Sequence, residues 1–288
     1  MTAGRVPEGI VNVYATLAEL KARAGIADAD GESSLWLALY GAARAIDRFC
    51  NRHFYVLNAT RTFDLHNPRS FAVPDLVSVT ALREDADGDR VFETLRDPSD
   101  YMLFSARNSP QSPRGRPYGE VVADPNGARP RFALGHRAMQ LEGEWSFRKD
   151  IADTGADLDQ GGPLSALATT VTVTDGTLIL RGQTLLVDHE QMFVRDLIGN
   201  DLTVARAVNG TSAVSHVDGT DVSVFRYPKA VVQASILMAG RLWKQRDSPF
   251  GPTADAHGFG VLDPLPGMDP DLHALLSPLQ RLPLIVAV

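Results

Sequence analysis

The stretch LLVDHEQMFV (185–194) sets Asp188, His189 and Glu190 side by side, the residue types that acid–base catalysis or a divalent metal would use. Its alternating apolar neighbours predict a strand, with Asp188 and Glu190 on one face and His189 on the other. No second histidine stands at ligand spacing, and His216 falls in the turn-rich SAVSHVDG. A solvated strand face is therefore favoured over a catalytic or metal pair. A second acidic stretch, EDADGDRVFE (84–93), has the composition of a calcium loop. The EF-hand pattern wants its glycine sixth and a glutamate twelfth, whereas Gly88 stands fourth from Asp85 and Glu93 ninth. Between VSVTAL and RVFETL it reads as an Asp-Gly hairpin turn.

Other chemistry is sparse. The single cysteine, Cys50, excludes an internal disulfide framework and a multi-cysteine zinc site. Its place in the helical pattern AARAIDRFC makes it a small core residue rather than a nucleophile. There is no G-x-S-x-G, P-loop, dinucleotide fingerprint or H-E-x-x-H. The sequence thus predicts no catalytic residues, no cofactor and no metal ligands, and a protein that is not an enzyme.

The elements that would position such residues fall into an α+β pattern. ATLAELKARAGI opens with Thr16 and Glu19 spaced as a capping box, and Gly25 suits a left-handed end. ESSLWLALYGAARAIDRFCNRHF then carries Leu35, Leu39, Ala42, Ile46 and Phe49 at helical spacing, completing a helix hairpin. From 61 to 149 the period changes to that of strands, broken by the proline-rich loop NSPQSPRGRPYG. Residues 150–165 are acidic, small and glycine-bearing, and read as a linker. The segment 166–227 alternates at period two in Val171/Val173, Leu178/Leu180, Leu185/Val187, Met192/Val194, Leu202/Val204 and Val222/Val224. Short strands so closely spaced predict an inserted small β-barrel or sandwich that folds apart from the helices. Residues 14–60 and 228–288 would together make a discontinuous helical core.

In that core KAVVQASILMAGRLWKQ is apolar over most of its circumference, as in a helix buried on more than one side. It runs into RDSPFG, so Arg241, Trp243, Arg246, Asp247 and Phe250 read as a joint within the core or between subunits. The chain ends LSPLQRLPLIVAV, and an apolar tail of this kind docks either on its own core or by strand addition to a partner.

Composition narrows the partners. The 288 residues are 44% hydrophobic and 22% charged, with a formal charge of −7. That acidity argues against a general nucleic-acid binder. MTAGRVPEGIVNVY lacks the pattern of a signal peptide, and no apolar run reaches a membrane span. The expectation is a soluble protein made in a reducing compartment.

YATLAELKARAGI, AARAIDRFCNRHFY, DLVSVTALREDADGD, DSPFG and GMDPDLHALLSPLQRL, in that order, resemble the head–tail connector (adaptor) proteins of long-tailed double-stranded-DNA phages and phage-derived gene transfer agents. GQTLLVDHEQMFV and LTVARAVNGTSAVSH are similar to a small β module of phage structural proteins. The resemblance runs from Tyr14 onward, and the chain is longer than a minimal adaptor through its strand-rich region and module. It implies a homo-oligomeric ring, typically of twelve copies, at the head–tail junction of a particle assembled in a bacterial cytoplasm. The ring's partners would be the portal above, a tail-side connector or stopper below, and DNA passing through its channel without sequence-specific binding; no membrane is implied. In that setting Leu282, Pro283, Leu284, Ile285, Val286 and Val288 are the expected portal-binding tail. Two other classes stand beside it: another tail-completion or tail-terminator ring protein, and a metal-dependent hydrolase using Asp188 and Glu190.

Overall fold

Thr16 starts the first helix as its sequence predicts. Its hydroxyl accepts the Glu19 N–H at 3.3 Å, and Glu19 Oε2 accepts the Thr16 N–H at 2.8 Å. The helix, α1 (Leu17–Ala24), ends at Gly25 with φ of 68°. In the computed structural model, residues 4–27, 31–105, 117–245 and 269–281 are described. They divide into two compact units, one from Met1–Asn51 with Ile151–Arg281, the other Arg52–Asp150. The next helix, α2 (Glu32–Cys50), buries Leu35, Trp36, Leu39, Ala42, Ala43, Ile46 and Cys50. Phe49, expected on that face, is only half-buried and stands edge-on to His273, with ring centroids 5.6 Å apart.

The second unit is a sheet of β1 (Leu57–Leu65), β2 (Ser70–Glu84), β3 (Thr94–Leu95), β4 (Tyr101–Ser105), β5 (Tyr118–Ala123) and β6 (Gly135–Trp145). Its order is β1-β6-β2-β5-β4, with β3 beside β2 and every pair antiparallel. Phe71, Leu76, Leu82, Met139, Leu141 and Trp145 form its core. At Gly143 a Cβ would lie 2.1 Å from the Ser78 carbonyl oxygen, so only glycine lets β6 cross the bulged β2 there. Glu84 and Arg96 are paired in the interior: Arg96 Nε donates to Glu84 Oε2 at 2.7 Å and Nη1 to the Arg129 carbonyl at 2.8 Å. Arg96 also donates to the Arg131 carbonyl, and Glu84 accepts the Ala133 N–H. The loop between β2 and β3 is longer than a two-residue hairpin turn and is organised by Asp85, which accepts the N–H groups of Gly88 and Arg90.

The chain then re-enters the first unit. Half of the segment read as a linker is instead β7 (Ile151–Asp157), which pairs with β12 (Asp221–Phe225). Between them run β8 (Thr170–Thr172), β9 (Thr184–Val187), β10 (Glu190–Ile198) and β11 (Asp201–Ala205), in the order β7-β12-β9-β10-β11-β8. Among the described residues no closed barrel forms. The two edge strands are joined by a Leu158–Val173 bridge, with the Asp159 N–H on Thr172 O and the Thr174 N–H on Asp157 O, each at 2.9 Å, rather than by a continuous ladder. Val171, Leu185, Val187, Met192, Val194, Leu202 and Val222 fill this sheet's core. Leu178 and Leu180 do not join them; they are 46% and 41% exposed, and Ile179 is buried instead. The reason is local: Asp175 accepts the Thr177 N–H and turns Gly176–Leu178 into a 3-10 helix.

Nor do residues 166–227 fold apart from the helices. β10 is buried on both faces, Met192 and Val194 toward its own sheet and Phe193 into the cluster of Trp36, Leu39 and Ala239. Gly182, with φ of 88°, lies against Trp36, where a Cβ would come within 2.7 Å of the ring. Asn12 and Asn209 exchange side-chain hydrogen bonds of 2.6 and 3.0 Å. The chain closes with α3 (Lys229–Gln245), packed on α1 and α2, and α4 (Pro270–Leu276) beside it. Beyond α4, Gln280 Nε2 donates to the Phe49 carbonyl at 3.0 Å and the Arg281 N–H to that of Cys50 at 2.8 Å. Carbonyls at the end of α2, which have no intrahelical partner, are thereby satisfied from the far end of the chain. No described helix is long and apolar enough to cross a membrane.

Candidate functional site

The joint expected at the end of α3 is partly in view. Arg241 Nη2 lies 2.8 Å from Asp269 Oδ2. Asp269 also caps α4, accepting the Asp271 N–H at 3.0 Å, so one carboxylate links two helices. Trp243 is half-buried and packs against the cluster built from α1, α2 and Phe193. Leu242 is 41% exposed, its Cδ1 beside Gly41 of α2. Arg246, Asp247 and Phe250 lie outside the described residues, as do Leu282, Pro283, Leu284, Ile285, Val286 and Val288.

The most developed polar constellation forms around the Asp188/Glu190 pair, in a way the strand reading missed. Glu190 pairs with Val187, so Asp188 and His189 are the two residues of a tight hairpin turn, Asp188 with φ of 53°. Asp188 is exposed at the turn while Glu190 points inward and is only 1% exposed. Arg206 forks onto Glu190, Nε to Oε1 at 2.6 Å and Nη2 to Oε2 at 2.7 Å. The N–H groups of Ala207 and Val214 donate to it at 3.0 and 3.1 Å. His216, 1% exposed, stands between the carboxylates, Nε2 at 2.9 Å from Glu190 Oε2 and Nδ1 at 2.7 Å from Asp188 Oδ2.

Burial alone would raise the Glu190 carboxyl. The Arg206 guanidinium first, then His216 and the two backbone N–H groups, outweigh burial and hold it at about 2. Arg206 spends its remaining donors on the carbonyls of Ser165, Ala168 and Val214, at 2.9, 2.8 and 2.8 Å. An aspartate on a buried histidine is the orienting half of a nucleophile–base relay. Here the other ring nitrogen faces Glu190 instead of a hydroxyl or thiol, and Glu190 itself has five donors. The arrangement binds loops 165–168 and 206–216 to the β9–β10 turn and presents no reacting atom. His216 and Arg206 carry no signal of this role in the sequence, because the fold alone brings them to Glu190.

A second perturbed carboxyl was also missed. Asp47 of α2 is raised to about 6 by burial, against the lowering effects of Arg44 and the Tyr14 hydroxyl. Tyr14 donates to Asp47 Oδ1 at 2.5 Å and Arg44 pairs with Oδ2 at 3.0 Å. Tyr14 also lines a shallow cleft with Thr16, Gln183, Phe225 and Tyr227. In the other unit Asp85, Asp87 and Asp89 hold carboxylate oxygens within 4.8 Å of one another, an oxygen-rich cluster whose members each accept N–H groups of their own loop.

No family model matches this sequence, and no curated protein matches it. Among solved structures, the chain is similar to one described as the neck of an empty GTA particle, computed with C6 symmetry. The two share 12% identity, with 96% of each chain covered and a TM-score of 0.33. A likeness of that size assigns no function by itself.

Proposed function

We propose that this chain is a structural, non-catalytic subunit of the head–tail junction of a tailed phage or phage-derived particle. In this reading it forms a connector ring, typically of twelve copies, between the portal and a tail-side stopper. The observation that carries the reading is the ordered run YATLAELKARAGI, AARAIDRFCNRHFY and GMDPDLHALLSPLQRL, similar to the adaptor family. What the fold adds in support is that parts of these motifs, far apart in sequence, meet in one unit: α1 and α4 each pack on α2, and the segment after α4 returns to Cys50. The net charge of −7 suits a ring through which DNA slides without sticking. The hydrolase alternative gains nothing from Glu190, which is buried and held by Arg206.

The portal contact is assigned to residues 282–288, where LPLIVAV has no charge in its side chains and favours strand pairing. A ring multiplies a weak contact of this kind through avidity. Deleting residues 282–288 is expected to leave a folded protein that no longer joins portal-bearing heads to tails. Assembly of tailed, transducing or infectious particles with the truncated chain would refute the tail assignment. Cryo-electron microscopy of intact particles tests the wider reading: this chain should lie between portal and tail, and a position at the far end of the tail would identify a terminator ring instead.

A further inference from the structure

The dipeptide Asn-Gly occurs twice in the chain, at Asn126-Gly127 and at Asn209-Gly210. Asparagine is chemically labile, and most so before glycine, which has no side chain to shield its backbone nitrogen from the amide that precedes it. The fold treats the two pairs in opposite ways.

Asn209 is locked. Its Nδ2 donates to Asn12 Oδ1 at 3.0 Å and to Gln191 Oε1 at 2.9 Å, and its Oδ1 accepts from Asn12 Nδ2 at 2.6 Å. Asn12 and Gln191 are 4% and 2% exposed, so the Asn209 amide cannot swing toward the Gly210 nitrogen without stripping both of these buried side chains of hydrogen bonds. Asn126 stands in the turn Asp124-Pro125-Asn126-Gly127, with proline second and glycine fourth, as a type I turn favours. The Gly127 N–H closes the turn on the Asp124 carbonyl at 3.1 Å, and Asp124 Oδ1 accepts the Asn126 N–H at 2.8 Å. Asn126 is exposed, and among the described residues its side-chain amide makes no hydrogen bond. One turn bond restrains the nucleophilic nitrogen, and the amide it would attack is free to approach.

We propose that Asn126 is a self-modification site of this chain, converting to aspartate and isoaspartate while Asn209 is preserved. The Gly127 nitrogen gives up its proton and bonds to Asn126 Cγ; the Cγ–Nδ2 bond breaks and Nδ2 leaves as ammonia. Water then opens the cyclic imide. Cleavage between the nitrogen and Cγ leaves aspartate. Cleavage between the nitrogen and the main-chain carbonyl carbon leaves isoaspartate, in which the chain runs through the former side chain. Both products gain a carboxylate, and isoaspartate also adds a methylene to the backbone. That addition falls where packing is tight: at Gly127 a Cβ would stand 2.9 Å from Asp100 Oδ1 and 3.0 Å from its Cα. Asp100, 4% exposed, holds this loop by accepting the Asp124 N–H on its carbonyl at 2.9 Å and the Arg129 N–H on Oδ1 at 3.1 Å. Isoaspartate at 126 displaces Gly127 and loosens both contacts.

The test incubates the full-length chain in mildly alkaline buffer made with heavy-oxygen water, once folded and once in urea, and follows both asparagines by peptide mapping and mass spectrometry. In urea both pairs should take up the label. In the folded chain Asn126 should convert, giving two separable products of equal mass, and Asn209 should remain an amide. Asn126→Gln should suppress the change without altering the far-ultraviolet circular dichroism. Hydrogen exchange then separates charge from backbone: the isoaspartyl form should lose protection at Gly127 and Arg129, whereas Asn126→Asp, with the charge on a normal backbone, should keep it. Equal protection in those two forms would overturn the loosening. An Asn126 that stays an amide in the folded chain while converting in urea, or an Asn209 that converts as fast, overturns the site itself.

Discussion

Among the described residues each unit contains one buried arginine–glutamate clasp, and the two differ in what they hold. In the second unit Arg96 and Glu84 take up the carbonyls of Arg129 and Arg131 and the N–H of Ala133, so the pair fastens one irregular segment to the end of β2. In the first unit Arg206 and Glu190 fasten two segments, 165–168 and 206–216, and recruit His216, which reaches on to Asp188 at a turn. A buried ion pair is weak evidence of net stability, since its desolvation cost rivals its attraction. The comparison teaches what such a pair is kept for. Both clasps provide hydrogen bonds to backbone that no strand partner serves, and the one with more irregular chain to hold has more members.

The largest effect should follow from breaking the larger clasp. Arg206→Ala leaves Glu190 charged, buried and short of two donors, and is expected to cost about 3–5 kcal/mol in urea unfolding. Arg96→Ala is expected to cost less, near about 3 kcal/mol, because a single segment is released. If Arg96→Ala proves the more damaging, the count of segments held is not what sets the cost. His216→Leu separates the clasps further, because only one contains a ring; a loss of about 1–3 kcal/mol is expected, with the Arg96–Glu84 region keeping its amide protection in hydrogen exchange.

The smallest effects are those of pH, and two carboxyls of the first unit should oppose each other. Glu190 has a folded value of about 2 against an ordinary 4.5, so its contribution is complete above about 4.5 and is lost as pH falls through about 2. Asp47 is raised from 3.8 to about 6, so its contribution is complete below about 3.8 and is lost as pH rises through about 6. Unfolding series should therefore show the parent's advantage over Glu190→Gln growing as pH rises toward about 5. Its advantage over Asp47→Asn should shrink by about 1–2 kcal/mol between about pH 4 and about pH 6. Parallel slopes for the two variants would break the assignment.

Much of the fold was legible because its causes are local. The Thr16–Glu19 capping box, the Gly25 end and the α2 stripe each need only a few neighbouring residues, and all are present. The period-two pairs at Leu185/Val187, Met192/Val194 and Leu202/Val204 are buried as alternation implies. What escaped depends on distant partners. IADTGAD looks like a linker because its residues are small and acidic; it is a strand because β12 lies beside it. Phe193, between Met192 and Val194, points the other way, into the cluster of Trp36, Leu39 and Ala239 that the separate-module reading did not foresee. The site suffered most. Asp188 was placed on a strand face with Glu190, although it sits in a tight turn at a positive φ that aspartate tolerates better than most residues. Nothing near Glu190 in the chain announces Arg206 or His216.

The hydrogen bonds that residues 280 and 281 make to the end of α2 have a mechanical consequence. Gln280 and Phe49 are separated by 231 positions in the sequence. A pull applied at Arg281 is passed by this contact directly to α2. While the contact holds, it bypasses the strands of both sheets, which lie within the closed loop. The tension path between Arg281 and the second helix is thus far shorter than the chain between them. In a molecule under load, that junction would act as a fuse, yielding at Arg281–Cys50 before either sheet is stretched.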